Sequence, residues 1–203
     1  AQGRYKHRDK NYIMVDVPGT YSLMANSIEE EIARDFICFG NPDATVVVTD
    51  GTCLERNLNL VIQTLEITSN VVVCVNLLDE AKRKKININL EELSELLGVP
   101  VIGTSARNGI GLEKLMDAVH DLTNKKTITT PLRVHYDNGI EEAIAILEPS
   151  IKELLTGKLN SRWVALKLLD GDAKLLQSLQ RYLGFDLSEN INITDKLKEA
   201  WEI

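Results

Sequence analysis

Three short patterns in this 203-residue sequence pair residue types and spacings that can handle a nucleotide. Asn76-Leu77-Leu78-Asp79 sets an amide and a carboxylate three residues apart. Guanine presents its ring N–H and exocyclic amine side by side, and one carboxylate can accept both at once. Adenine carries an acceptor in place of that ring donor and would leave the carboxylate unpaired. A site built on such bonds rejects the wrong partner by roughly 10⁴-fold. Taken alone, the pattern is equally well read as a strand end at Asn76 and a helix cap at Asp79. Asp16-Val17-Pro18-Gly19 fits the Asp-x-x-Gly element of nucleotide triphosphatases. Its carboxylate can hold a water on Mg²⁺, and its glycine lets a backbone N–H approach a γ-phosphate with no Cβ in the way. Singly, it reads better as a Pro-Gly turn. Ser105-Ala106 can bring a backbone N–H to the guanine carbonyl oxygen, and singly it too reads as a turn.

The elements that must position these residues change the odds. Val71-Val72-Val73-Cys74-Val75 is an unbroken, mostly β-branched run, the mark of a strand buried on both faces of a parallel sheet. Asn76 and Asp79 follow at its carboxyl end, where open α/β sheets bind ligands. Residues 4–16 predict two strands about a polar turn at 8–11, the second ending at Asp16. Residues 44–49 and 99–102 predict further strands, the last running into Ser105. Helices are expected from the capping box at Ser27 to Phe39, over 58–65 and 79–85, from the cap Asn89 to Gly98, and over 112–122. Alternating strands and helices mean βαβ units and a mostly parallel sheet, with the opening pair antiparallel. The three patterns thus each end their own strand, an agreement that chance rarely gives.

The composition shifts after that. The polar stretch 124–131 reads as a linker, and everything beyond it as helical. Residues 139–155 make one helix or two divided near Pro149, and 161–169 stop at Asp170-Gly171. Asp172 caps 173–183, and Thr194 caps a last segment ending at Trp201-Glu202-Ile203.

Bulk properties exclude several classes. A net charge of −7 and a pI near 5.1 argue against a nucleic-acid-binding surface. The three cysteines have no metal-like spacing; Cys74 belongs to the core strand, and a reducing compartment is expected. No apolar run nears the ~18 residues of a membrane helix. No signal peptide opens the chain, and its first residue is Ala1, as in a fragment. His7, His120 and His135 lack metal-ligand spacing and are expected at the surface, whereas Trp163 and Trp201 are expected in the core.

Longer stretches resemble a known family, ferrous iron transport protein B (FeoB), in its cytosolic region. They are Asp16-Val17-Pro18-Gly19-Thr20-Tyr21-Ser22-Leu23, Asp50-Gly51-Thr52-Cys53-Leu54-Glu55-Arg56-Asn57-Leu58, and Asn76-Leu77-Leu78-Asp79-Glu80-Ala81. A fourth, Arg162-Trp163-Val164-Ala165-Leu166-Lys167-Leu168-Leu169-Asp170-Gly171-Asp172, is not shared with generic small GTPases. The likeness covers nearly the whole chain. It implies an α/β, Ras-like P-loop GTPase sheet with flanking helices over 1–126, then an all-helical, nucleotide-release-regulating domain over 127–203. It implies GTP/GDP and Mg²⁺ as cofactors, with Asp16 holding an Mg²⁺-bound water and Gly19 at the γ-phosphate. Asn76 and Asp79 would read guanine, and Ser105 and Ala106 its carbonyl edge. The implied partner is the permease portion of the same transporter, at the cytoplasmic face of a membrane. No nucleic acid is expected, and a homo-oligomer is left open.

Two departures qualify the resemblance. The phosphate loop Gly-x₄-Gly-Lys-Ser/Thr is nowhere among these residues: Gly157-Lys158 has Lys152 where the first glycine belongs. Gly109-Ile110-Gly111 likewise has Lys114 where a Gly-x-Gly-x-x-Gly needs its last glycine. Phosphates on backbone N–H groups and a lysine supply most nucleotide affinity. The expectation is an N-terminally shortened piece that binds GTP weakly or not at all by itself. The second departure is Leu77, in the place where many GTPases carry a lysine whose stem packs on the base. Thr20 stands where Ras-like enzymes place a water-orienting Gln, so slow hydrolysis is expected even in an intact version. Two rival readings are a translation- or tRNA-associated GTPase and a non-catalytic scaffold with an incomplete pocket.

Overall fold

The computed structural model describes residues 1–24 and 27–202. They divide into two compact units, Ala1–Arg133 and Val134–Ile203.

The first unit is built on a parallel sheet of β3 (Thr45–Asp50), β4 (Val71–Asn76) and β5 (Val101–Gly103), in that order. The central strand β4 explains its own unalternating sequence. Val71, Val73 and Val75 pack with Val61 and Leu65 of α2 (Leu54–Ile67), while Val72 packs with Val119 and Leu122 of α5 (Leu112–Thr123). All four valines are fully buried, which stabilises the unit by about 1.5 kcal/mol or more per side chain. Two shorter helices, α3 (Leu78–Arg83) and α4 (Leu90–Leu97), complete the βαβ pattern. α1 (Ile28–Phe39) begins as expected, with the Ser27 side chain accepting from the Glu30 N–H, and α4 begins with Asn89 accepting from Glu92.

The opening strands β1 (Gln2–His7) and β2 (Lys10–Val15) pair antiparallel about a two-residue turn, tighter than 8–11. Ala1 and Asp16 exchange backbone hydrogen bonds of 2.8 Å and carry the pairing to the Asp-x-x-Gly element. This hairpin forms a two-stranded sheet of its own. A lone hairpin is marginal in water, and side chains hold it on α5. His7 Nε2 lies 2.7 Å from Asp117 Oδ1, an Arg8 nitrogen lies 2.7 Å from the same oxygen, and Tyr12 Oη lies 2.8 Å from His120 Nδ1. The surface expectation therefore holds for exposed His135 and fails for buried His120 and largely buried His7.

The polar stretch after α5 lies along the first unit. The Thr130 N–H donates to the Gly98 carbonyl, the Leu132 N–H to the Leu97 carbonyl, and Thr129 Oγ1 to the Ser69 carbonyl. Gly98 sits at φ 67°, and a Cβ there would lie 1.8 Å from the Thr130 oxygen, so this close approach requires glycine.

The second unit is helical: α6 (Asn138–Leu155), α7 (Ser161–Asp170), α8 (Ala173–Leu183) and α9 (Ile191–Trp201). α6 runs unbroken through Pro149 and packs on α7 and α9. Arg162 grips Glu141 with two nitrogens at 2.9 and 2.6 Å and donates to the Val134 carbonyl. The cap of α9 is Asn190, not Thr194, because the Asn190 side chain accepts from the Ile193 N–H one turn earlier. Thr194 instead bonds back to the Asn190 carbonyl from inside the helix. Trp163 is core, as expected, but Trp201 is 64% exposed at the last turn of α9.

Candidate functional site

Asn76 is the last residue of β4, and its side chain stitches the strand end to the segment after β5. Its Oδ1 accepts from the Ala106 N–H at 3.0 Å and from Thr104 Oγ1 at 3.0 Å. Backbone bonds tighten the same junction: the Thr104 N–H donates to the Val75 carbonyl, and the Leu78 N–H to the Thr104 carbonyl. Thr104 is buried and also touches Cys74 Sγ at 3.3 Å. Burial pushes the Cys74 thiol pKa up, so it stays a neutral core group.

Leu77 turns the chain between the two polar residues. It adopts φ 60°, a left-handed conformation unfavourable for a side chain of this kind, and α3 starts directly after it. Leu77 is the N-cap and makes no side-chain capping bond. Asp79 therefore lies inside the first turn of α3 and is not its cap. Its carboxyl is held below the usual carboxylate range, first by the Ser105 hydroxyl and then by backbone N–H groups at the helix start, against some desolvation. Its Oδ2 accepts from Asn108 Nδ2 at 3.2 Å. That nitrogen also lies 3.4 Å from Ser105 Oγ.

The loop carrying Ser105, Ala106 and Asn108 is compact. Ser105 and Ile110 exchange backbone hydrogen bonds around a 3₁₀ turn at Ala106–Asn108. Gly111 closes it at φ 81°, where a Cβ would lie 2.2 Å from the Gly103 oxygen. Asn76, Asp79, Ser105 and Ala106 are thus brought together. Neither Thr104 nor Asn108 was anticipated. The Asn108-Gly109 pair carries only a turn signal, and Thr104 reads as the end of a strand.

Asp16, Gly19 and Thr20 occupy the loop after β2. Asp16 is exposed, and the space about Gly19 is open. Thr20 Oγ1 donates to the Ser22 carbonyl at 2.6 Å and accepts from the Ser22 N–H at 3.2 Å, which closes a local turn. The loop is tied to α2: the Leu23 N–H donates to Gln63 Oε1 at 2.6 Å, and the Arg56 guanidinium lies 4.6 Å from the Tyr21 ring centre. At the end of β3, the Thr52 N–H donates to Asp50 Oδ1 and lowers that carboxyl's pKa, so Asp50 serves its own turn. Among the described residues no group of three or more His, Cys, Asp or Glu could hold a metal ion. Gly157-Lys158 forms the turn after α6, where the Lys158 N–H donates to the Leu155 carbonyl. A groove of about 580 Å³ opens by Thr52, Cys53, Arg56, Asn87 and Leu93, and none of the residues named above for a nucleotide lines it.

Comparison with known proteins identifies the family and the fold. Residues 1–119 match the family model described as ferrous iron transport protein B, and residues 136–202 match that of the FeoB cytosolic helical domain. A Porphyromonas gingivalis Fe(2+) transport protein A/Fe(2+) transporter FeoB fusion protein is 35% identical over 189 residues, which are 90% of this chain and 22% of that protein. The chain spans about a fifth of the length of such relatives. The apo cytosolic domain of the T. maritima FeoB iron transporter superposes with a TM-score of 0.75 at 32% identity, covering 98% of this chain and 78% of that one. NFeoB from S. thermophilus, bound to GDP·AlF₄⁻ and K⁺, gives a TM-score of 0.77 at 29% identity over 100% of this chain and 76% of that one. With residues 1–119 matched by the one model and 136–202 by the other, on a fold shared with solved FeoB cytosolic domains, the chain belongs to the ferrous iron transport protein B family.

Proposed function

We propose that this chain is the guanine-nucleotide-responsive regulatory region of a transporter that moves Fe²⁺ across a membrane. The observation that supports it most is the Asn76 junction. One side-chain oxygen pins the Ala106 N–H and the Thr104 hydroxyl, fixing the loop beside the ionised Asp79 carboxylate. In this reading Asp79 accepts the two donors of guanine, Ser105 holds that carboxylate in its charged form, and the Ala106 segment borders the base carbonyl. Asn76 acts by positioning that segment. Gly19 would meet a γ-phosphate through its N–H, with no Cβ in the way.

Mg²⁺ keeps several waters and takes only one or two carboxylates from its protein. The single exposed Asp16 carboxylate fits that outer role and no dry cage. When bound, the ion would neutralise phosphate charge; Asp16 would orient one of its waters. Thr20 closes its own turn through its hydroxyl, which supports slow hydrolysis. No helix among the described residues is long and apolar enough to cross a membrane. The partner we assign is the permease part of the same transporter, with this region on its cytoplasmic side.

Titration of a fluorescent GDP analogue, competed with GDP and with ADP, tests the base reading. No Gly-x₄-Gly-Lys-Ser/Thr lies in these residues, so affinity weaker than micromolar is expected. GDP should compete and ADP should not, and Asp79→Ala should abolish the difference. Equal competition by both nucleotides, or an unaltered preference in Asp79→Ala, would refute the assignment.

A further inference from the structure

Asn108 presents to Asp79 the same kind of donor that guanine would bring. Its Nδ2 carries two hydrogens and lies 3.2 Å from Asp79 Oδ2 and 3.4 Å from Ser105 Oγ. An exocyclic amine on a base is likewise an N–H₂ group meeting a carboxylate. We propose that the Asn108 side-chain amide is an internal stand-in for the base, occupying the Asp79 carboxylate in the nucleotide-free chain and leaving when guanine docks. The inference rests on the guanine reading above and adds a competing group that sets affinity.

Three features favour a displaceable stand-in over a permanent support. Both contacts are long for hydrogen bonds, and the side chain is exposed, so little is lost when water replaces the carboxylate. Asn108 ends a single 3₁₀ turn followed by Gly109 at φ 70°, around which there is open space. Asp79, by contrast, is anchored in the first turn of α3, and the Ala106 N–H is pinned by Asn76. The donor can therefore swing away while the acceptor and the loop's base-facing end stay in place. With the amide gone, the Asp79 oxygen is left to Ser105 and to the incoming base.

The test has two arms, both on the intact 203-residue chain. In the first, the Asn108 side-chain amide resonance is followed by NMR through the acid titration of Asp79, without nucleotide. It should move with that titration; an amide insensitive to it overturns the inference. In the second, GDP is titrated to millimolar concentration with wild type, Asn108→Ala and Asp79→Ala. Removing the competitor should tighten GDP binding by roughly two- to five-fold, the worth of one weak exposed hydrogen bond. Unchanged or weaker binding in Asn108→Ala, with Asp79→Ala still abolishing it, overturns the stand-in and leaves the guanine reading standing. GDP binding that survives undiminished in Asp79→Ala overturns the guanine reading and the stand-in with it. The first arm would still report the free-state contact.

Discussion

Replacing Asn76 by alanine should loosen the junction on which the base-reading geometry depends. Two hydrogen bonds are lost, from the Ala106 N–H and from Thr104 Oγ1, each 3.0 Å long. At about 1 kcal/mol each, the net cost is about 2 kcal/mol. The first unit holds 133 residues, and unfolding entropy is about 2.1 cal/mol/K per residue, so the unit's melting temperature should fall by about 7 °C. The fall is moderated at Thr104, which keeps Cys74 Sγ within reach. Hydrogen exchange gives a local readout: the Ala106 amide should exchange roughly ten-fold faster, while Val73 in the middle of β4 keeps its protection. Asn76→Asp offers the same acceptor geometry and should retain most of the stability. A melting temperature within about 1 °C of wild type, together with an unchanged Ala106 exchange rate, would show that Asn76 does not organise this loop.

Four other outcomes follow from the same geometry. Gly98→Ala places a Cβ against the Thr130 oxygen at a left-handed φ and should destabilise the first unit by about 2 kcal/mol or more in urea titration. The Asp117 carboxyl is held below its ordinary value, first by the hydrogen bond from His7 and also by Arg8. Its contribution is therefore present above the unfolded value near pH 3.9 and lost as pH falls through the lower folded value, so Asp117→Asn should flatten the acid limb of hairpin stability seen by hydrogen exchange. Arg162→Ala leaves half-buried Glu141 without its two-pronged partner and should cost the helical unit about 2 kcal/mol; Arg162→Lys should restore only part of that. Of the three thiols, Cys53 is exposed while Cys38 and Cys74 are buried, so one equivalent of maleimide should react quickly with the native chain and two more only on unfolding.

Much of this architecture is local, and local information is what a sequence carries. The unbroken apolar run Val71–Val75 determined a strand buried on both faces, and the small polar residues ahead of apolar periods determined the caps at Ser27, Asn89 and Asp172. The Asn-x-x-Asp spacing put an amide and a carboxylate at one strand end because three residues suffice to leave a strand and enter a helix. Tertiary packing decided the rest. Residues 110 apart in the chain joined His7 to Asp117, since a lone hairpin must find a surface and α5 supplied carboxylates and an imidazole. Asn108 reached Asp79 from 29 residues away because β4 and β5 are neighbours in the sheet. The cap of α9, by contrast, is a local choice between two residues with capping chemistry: the Asn190 side chain accepts from the Ile193 N–H, and Thr194 lies inside the helix. Spacing in the chain chooses which groups leave a strand together, but only the stacking of strands and helices chooses what they meet.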